Sequence, residues 1–258
     1  MRVAMIYRYK KGIIAVVLFA LLIGFLIYKT PKGPAYIYNT YARPSDFKEG
    51  LWIVKYPGNH ECFRFETPDS FRIVTDPYQM DEYVSPDILT ISHYHPDHCD
   101  TSKLGGKYRL FDKAGVYNAG RVSITGVKGL HDNPRVPSTG NMPNVIFVFD
   151  IDGIRIAHFA SQGVYPTEDM FRSIGKADIL VIQLGDGGKK MSLKECGDVV
   201  TRLGARLVIP AHGDQSLDPA FAEMLHAGIR YVDNGEMIVT RKELDEKDKP
   251  EILVLDSY

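Results

Sequence analysis

Short apolar runs separated by turn residues fill the first half of the chain beyond about residue 50. Runs of roughly four to eight residues bounded by pairs such as Pro-Gly or Pro-Asp are typical of β-strands. The pattern predicts strands at Leu51–Tyr56, Cys62–Glu66, Phe71–Thr75, Asp87–Ser92, Val122–Val127, Val145–Phe149 and Ile154–Ala160.

The second half of the chain alternates between helix and strand patterns. Thr167 can cap one helix, and Ser192 with Glu195 forms a capping box at the start of another. The predicted elements are helices over 167–175, 192–203 and 219–226 and strands over Asp178–Leu184, Arg206–Ala211 and Glu251–Leu255. Strands followed by strand–helix alternation predict an α+β fold of layered sheets with helices outside.

The N-terminus has a different pattern, because an apolar run from Ile13 to Tyr28 follows several basic residues. Its length is close to the roughly 17–25 residues of a spanning helix, and no small-residue cleavage signal follows it. We therefore predict an uncleaved transmembrane anchor helix over 1–30, a proline-rich linker over 31–50 and one folded domain over 51–258. Since basic residues lie mostly before the run, we expect a single-pass protein whose domain is extracytoplasmic.

The composition supports a globular domain and excludes one class of partner. The 258 residues are 45% hydrophobic and 24% charged, which is typical of globular proteins. The formal net charge is −1, so we expect no nucleic-acid partner. Three cysteines without Cys-x-x-Cys spacing predict no disulfide framework.

The densest group of metal-ligand residues lies between Ser92 and Asp100, which holds three of the eight histidines. His93 and His95 follow a predicted strand and point the same way in extended chain. Pro96 ends the strand, so Asp97 and His98 turn toward a neighbouring position. Because imidazole and carboxylate are ligands of zinc and related metals, the segment predicts a metal site with room for a second ion.

Two histidines further along the chain extend this prediction. His131 lies in a loop after the strand Val122–Val127, and His212 follows the strand Arg206–Ala211. Functional groups commonly lie at strand ends in α/β folds, so we expect both to be ligands.

The order of His-x-His-x-Asp-His, a loop histidine and a strand-end histidine resembles the metallo-β-lactamase superfamily. The similarity is closest to its small hydrolase branch, with lactonase-like and phosphodiesterase-like members, and runs from about Trp52 to His226. The resemblance implies a four-layer αβ/βα sandwich with a metal site at one edge. It also implies that one ion is held by His93, His95 and His131 and a second by Asp97, His98 and His212.

One position departs from the family pattern. The family usually has an aspartate that bridges both ions, and Ser161 stands in its place here. We therefore expect a less anionic site with weaker affinity for the second ion. Asp186 and Asp214 are the carboxylates considered as replacements.

The sequence predicts a hydrolase that uses a metal-activated water on an ester, lactone or phosphodiester bond. We expect one or two Zn²⁺ ions, with Mn²⁺ or iron as alternatives, and a small-molecule or lipid-like substrate. Asp97 is the expected catalytic residue, which orients the nucleophile and accepts its proton. His158 is expected either to orient a ligand or to be a buried structural histidine. His60 either contacts substrate or stabilises its own turn.

Two other functions stay open at this point. Ser161 is also consistent with a non-catalytic metal-binding or scaffold module whose second metal site is degraded. A nuclease of the larger β-CASP type is disfavoured, because 258 residues leave little room for its inserted domain.

Overall fold

Alternating apolar side chains on the strands build two sheets that pack face to face. The computed structural model of the chain describes residues 41–58, 60–134, 136, 142–213 and 215–255. Its strands are β1 Leu51–Lys55, β2 Phe63–Glu66, β3 Arg72–Thr75, β4 Ile88–Thr90, β5 Arg109–Phe111, β6 Gly115–Ala119, β7 Val122–Leu130, β8 Pro143–Ile151, β9 Ile154–His158, β10 Ile179–Ile182, β11 Leu207–Pro210, β12 Gly228–Val232, β13 Glu236–Val239 and β14 Glu251–Leu255.

The first sheet has the strand order β13-β1-β2-β3-β4-β5, and the second has the order β12-β14-β11-β10-β9-β8-β7-β6. In the first sheet, β13 to β3 are antiparallel neighbours, while β3, β4 and β5 are parallel. In the second sheet, β6 to β9 are antiparallel, and β9, β10, β11, β14 and β12 run parallel.

Strand β8 shows how one sequence buries both faces of the second sheet. Val145, Phe147 and Phe149 belong to the core between the two sheets. Ile146 and Val148 belong to a second core, beneath the helices. Side chains alternate between the two faces of a strand, so a nearly continuous apolar run is required when both faces are buried.

Helices α1 Glu168–Ile174, α2 Leu193–Leu203 and α3 Asp218–Met224 lie on the outer face of the second sheet, and a short helix, α4 Arg241–Asp245, precedes β14. The predicted caps of α1 and α2 are confirmed. The Thr167 side chain accepts a hydrogen bond from the Met170 N–H, and Ser192 with Glu195 forms the complete capping box. Gly204, at φ 69°, ends α2 in the left-handed conformation that glycine adopts at little cost.

The mixed α/β class and the paired sheets agree with prediction, but the four-layer arrangement needs a correction. In the described part of the chain, the outer face of the first sheet is covered by residues 41–50 and by the segments 76–87 and 91–108, which flank β4, rather than by an α-helix. Tyr41 and Phe47, in the predicted linker, are buried there. The segments that flank β4 contain Pro77, Pro86 and Pro96, each of which opposes a continuous helix.

Strands β5, β6, β12 and β13 and helix α4 are absent from the sequence prediction. Most positions of these strands are exposed or half-buried, and only Phe111, Ala119 and Val239 are buried, so no alternation between a buried and an exposed face marks them. The strand pairing comes from their neighbours in the sheet, which a single segment does not reveal.

The predicted anchor over 1–30 lies outside the described residues. Within the described ranges, no helix has both the length and the apolar character needed to cross a bilayer.

Candidate metal centre

The candidate site lies at the edge of the sheets where several strands end. His93 follows β4, and Asp76 directly follows the parallel neighbour β3. His131 follows β7 and His212 follows β11, both in the second sheet. The two sheets therefore bring segments far apart in sequence to one edge.

The first predicted ligand set is brought together. The ring of His93 lies 4.8 Å from that of His95 and 4.6 Å from that of His131, and the rings of His95 and His131 are 4.7 Å apart. His93 Nε2 lies 3.2 Å from His95 Nδ1. Ligand atoms bound tetrahedrally at about 2.0 Å lie roughly 3.3 Å apart, so this spacing suits one zinc ion.

The second predicted set lies beside the first. Asp97 Oδ2 is 3.7 Å from His98 Nε2 and 3.4 Å from His212 Nε2. The His98 ring lies 4.0 Å from the His93 ring of the first set. Asp97 and His98 belong to a 3₁₀ turn, Pro96–His98, which begins at Pro96 and directs them away from the extended segment before it.

The environment keeps two ligands of the first set in the state that binds metal. Burial lowers the pKa of His93 to about 2, with further lowering by His98 and the other histidines of its set. Burial and then the Lys190 ammonium lower the pKa of His131 to about 4. Both imidazoles are therefore neutral at pH 7, as coordination requires.

Asp76 holds His98 from the side opposite to Asp97. Its Oδ2 lies 3.4 Å from His98 Nδ1, and its Oδ1 accepts a hydrogen bond of 2.7 Å from the Ser92 N–H. Burial lowers the pKa of His98, but the hydrogen bond and charge of Asp76 outweigh it, and the net pKa is raised. A carboxylate behind a ligand histidine fixes the ring orientation and raises its basicity.

Lys190 ties the loop of His131 to the end of β9. Its ammonium donates hydrogen bonds to the carbonyls of His131, at 2.7 Å, and Ser161, at 3.0 Å. It also lies 3.4 Å from His131 Nδ1 and 3.1 Å from Asp132 Oδ1. The position of the His131 loop thus depends on contacts with Lys190, which is distant in sequence.

His158, at the end of β9, is fully buried next to two carboxylates. Its Nε2 lies 3.5 Å from Glu61 Oε2, and its Nδ1 lies 3.9 Å from Asp76 Oδ2. It therefore reaches the ligand His98 through Asp76 rather than directly. Burial lowers the pKa of His158 to about 4, so the ring is neutral at pH 7.

His60 makes contacts within its own turn. Its Nε2 pairs with the Pro57 carbonyl, and its Nδ1 accepts a hydrogen bond of 3.3 Å from the Cys62 N–H. These contacts favour the turn-stabilising alternative over contact with substrate.

The Ser161 hydroxyl is buried and has no hydrogen-bond partner among the described residues. Asp186 does not replace the missing carboxylate, because it is exposed and accepts a hydrogen bond of 2.9 Å from Gly188 in its own loop. Asp214 lies outside the described residues.

The donor set fits divalent metal ions. Three ligands form each group, within 4.8 Å of one another: His93, His95 and His131 in one, and Asp97, His98 and His212 in the other. The Nε2 of His98 is buried without a hydrogen-bond partner in the described part of the chain, which is costly unless a cation binds it.

Two residues of the site carried no assigned role in the sequence prediction. Asp76 directly follows the predicted strand Phe71–Thr75, and Glu61 directly precedes the predicted strand Cys62–Glu66. Their burial beside the ligands depends on packing between β2, β3 and β9, which the local sequence pattern does not encode.

Comparison with known proteins identifies the family of this chain and similar sequences. The family model described as "Beta-lactamase superfamily domain" matches residues 54–212. A UPF0173 metal-dependent hydrolase from Methanosarcina barkeri is 26% identical over 157 residues, which cover 51% of this chain and 67% of that protein.

Solved structures show the same architecture. One is a Thermotoga maritima protein described as a Zn-dependent hydrolase of the metallo-beta-lactamase superfamily. It has a TM-score of 0.65 and 25% sequence identity, and the match covers 81% of this chain and 100% of that one. A metallo hydrolase from Ignicoccus hospitalis has a TM-score of 0.55 at 14% identity, covering 74% of this chain and 99% of that one, and so shows the fold alone.

Proposed function

The chain belongs to the β-lactamase superfamily, and from its two converging ligand sets we propose that it is a metal-dependent hydrolase holding two divalent ions. One observation carries this proposal. His131 and His212 come from separate strands of the second sheet and meet the segment 93–98, which follows a strand of the first. The folded state gains little stability from this convergence, because each of the five neighbouring imidazoles makes protonation of the others less favourable. Binding of a metal ion explains it better.

The donor atoms favour zinc. Three histidines would hold the first ion, which is the number of protein ligands in catalytic zinc sites. Asp97, His98 and His212 would hold the second. Mn²⁺ and iron remain alternatives, because mixed nitrogen and oxygen donors also bind them.

Asp97 is the residue we assign to the proton transfer. Ions bound at the two sets would lower the pKa of a coordinated water to near 7 and stabilise negative charge that develops on the substrate. The Asp97 side chain is about one-third exposed, at 32%, whereas His98 beside it is fully buried. It can therefore both contribute to the second set and accept a proton from a water on the solvent side.

The proposed substrates are small or lipid-like molecules with an ester, lactone or phosphodiester bond. The name of the Methanosarcina barkeri relative, metal-dependent hydrolase, supports the class of reaction and specifies no substrate. We further propose that residues 1–30 anchor the chain in a membrane and that the domain acts outside the cytoplasm, on the basis of the apolar run and its flanking charges.

A substrate panel with matched variants tests the proposed function. The full chain, stripped of metal and reloaded with Zn²⁺ or Mn²⁺, is assayed on a p-nitrophenyl ester, a lactone and bis(p-nitrophenyl) phosphate. We expect metal-dependent turnover that Asp97→Asn lowers by roughly 10²–10⁴-fold. His226→Asn is the matched control, because His226 is exposed, lies outside both ligand sets and has φ 49°, which asparagine tolerates.

Inertness of the metal-loaded chain across the panel would contradict the hydrolase. If the chain also held one tightly bound ion, the result would favour the alternative of a non-catalytic metal-binding module.

A further inference from the structure

Glu61 is a fully buried carboxylate with no hydrogen-bond partner among the described residues. It lies two positions before β2, at the edge of the sheet where Thr75 ends β3. Its residue exposure is 0%, and both Oε1 and Oε2 lack a donor. Buried acids are normally paired with a cation or fully hydrogen-bonded, so this arrangement needs an explanation.

The other buried glutamates of the described chain are paired. Glu66 contacts Arg43 at 2.6 Å and Arg72 at 2.9 Å. Glu82 pairs with Arg64 and accepts a hydrogen bond of 2.9 Å from the Tyr56 hydroxyl. Glu61 therefore differs from them, and the difference is a missing cation.

Within the described ranges, no side chain beside Glu61 supplies that cation through direct contact. The nearest ion-pair contact is His158 Nε2 at 3.5 Å, and His158 is neutral at pH 7 because its pKa is about 4. Lys55 and Lys190 attract the carboxylate electrostatically, but neither donates a hydrogen bond to it.

Contacts relate Glu61 to the second ligand set through two intervening side chains. Glu61 Oε2 lies 3.5 Å from His158 Nε2, and His158 Nδ1 lies 3.9 Å from Asp76 Oδ2. The same Asp76 oxygen lies 3.4 Å from Nδ1 of His98, a member of the second set. Among the six ligands of the two sets, Asp97 alone carries negative charge, whereas two divalent ions bring four positive charges.

We propose that Glu61 is a positioning residue of the metal centre, which acts through His158 and Asp76 on His98 and adds negative charge on the buried side of the second ligand set. This inference rests on the proposed function, because it requires ions at the two sets. It assigns to Glu61 the negative charge that Ser161 does not provide.

Zinc binding to the metal-free full chain tests the inference without reference to activity. Zn²⁺ is titrated against a competing chelator into wild type, Glu61→Gln and Glu66→Gln, and the melting temperature of each metal-free protein is recorded. Glu66→Gln is the matched control, since it removes a buried carboxylate of the same strand region that lies among arginines. A Ser161→Asp change in the Glu61→Gln background tests whether a carboxylate at the family position restores binding.

We expect Glu61→Gln to weaken binding of the second zinc by roughly 10- to 100-fold and to leave the first zinc bound. Glu66→Gln should lower the melting temperature without changing zinc affinity, and the added Ser161→Asp should recover the second zinc. Two ions bound by Glu61→Gln with wild-type affinities would overturn this inference alone. A wild-type chain that binds no zinc would instead overturn the proposed function, and this inference with it.

Discussion

Asp76 Oδ2 lies 3.4 Å from Nδ1 of His98, so a buried carboxylate stands directly behind one proposed ligand of the second ion. The same carboxylate uses Oδ1 to bind the Ser92 N–H at the start of the ligand segment. One side chain thus fixes both the backbone before His93 and the ring of His98. Precise placement of a metal ligand depends on such contacts behind it.

Asp76→Asn should weaken the second zinc by roughly 10- to 100-fold and leave the first in place. Asparagine keeps an oxygen for the Ser92 N–H and tolerates the φ of 43° at this position, so the loop should persist. The measurement is competitive zinc titration. Asp100→Asn is the control, because Asp100 Oδ1 accepts from the Ser102 N–H in an exposed turn. Equal affinities for Asp76→Asn and wild type would show that Asp76 does not support the ligand.

The metal-free chain should lose stability as the pH falls from about 6.5 toward 4, in part because of His158. Burial lowers the folded-state pKa of His158 to about 4 from a usual value of 6.5. Over that interval the unfolded state binds a proton that the folded state does not, so the free energy of unfolding falls by up to about 1.4 kcal/mol per pH unit for this group. Chemical denaturation of His158→Gln over the same pH range should give a shallower slope. An identical slope would remove His158 as a cause.

Glu61 should have the opposite pH dependence in the metal-free chain. Burial raises its folded-state pKa from 4.5 to about 8, so the stability associated with the protonated carboxyl is present below pH 4.5 and is lost as the pH rises to about 8. Glu61→Gln cannot ionise, and the metal-free variant should melt at a higher temperature than wild type at pH 9 while differing little at pH 4. A lower melting temperature at pH 9 would indicate an unrecognised cationic partner for Glu61.

The anchor proposed over 1–30 predicts the location of the C-terminus. A reporter fused after Tyr258 that is active only outside the cytoplasm should give signal, because the basic residues mostly precede the apolar run. A reporter active only in the cytoplasm should give none. The reverse pair of results would contradict the proposed orientation.

Much of the fold follows from local sequence patterns. The buried strands of both sheets and the caps at Thr167 and Ser192 are specified by apolar runs and by side-chain oxygens at helix starts. Exposed strands such as Gly115–Ala119 pair because a neighbouring strand is already in place, so their own residues carry little signal.

Some residues of the candidate site are evident from the sequence, and others are identified only by the packing of the sheets. The segment from His93 to His98 is local in sequence, and its ligand chemistry is evident there. The positions of His131 and His212 at strand ends predict their role as ligands, and the structure brings both to that segment. Glu61 and Asp76 are ordinary acidic residues in sequence, and their significance comes from burial and unsatisfied oxygens, which arise when the sheets pack.

The zinc content of the purified full chain after equilibrium dialysis tests the central claim, that the two sets hold one ion each. We predict about two zinc ions per chain for wild type and about one for either His95→Ala or Asp97→Ala, by the ligand counts of zinc sites. The double variant should hold essentially none. A wild-type chain without zinc, or a metal content that neither substitution changes, would contradict the account.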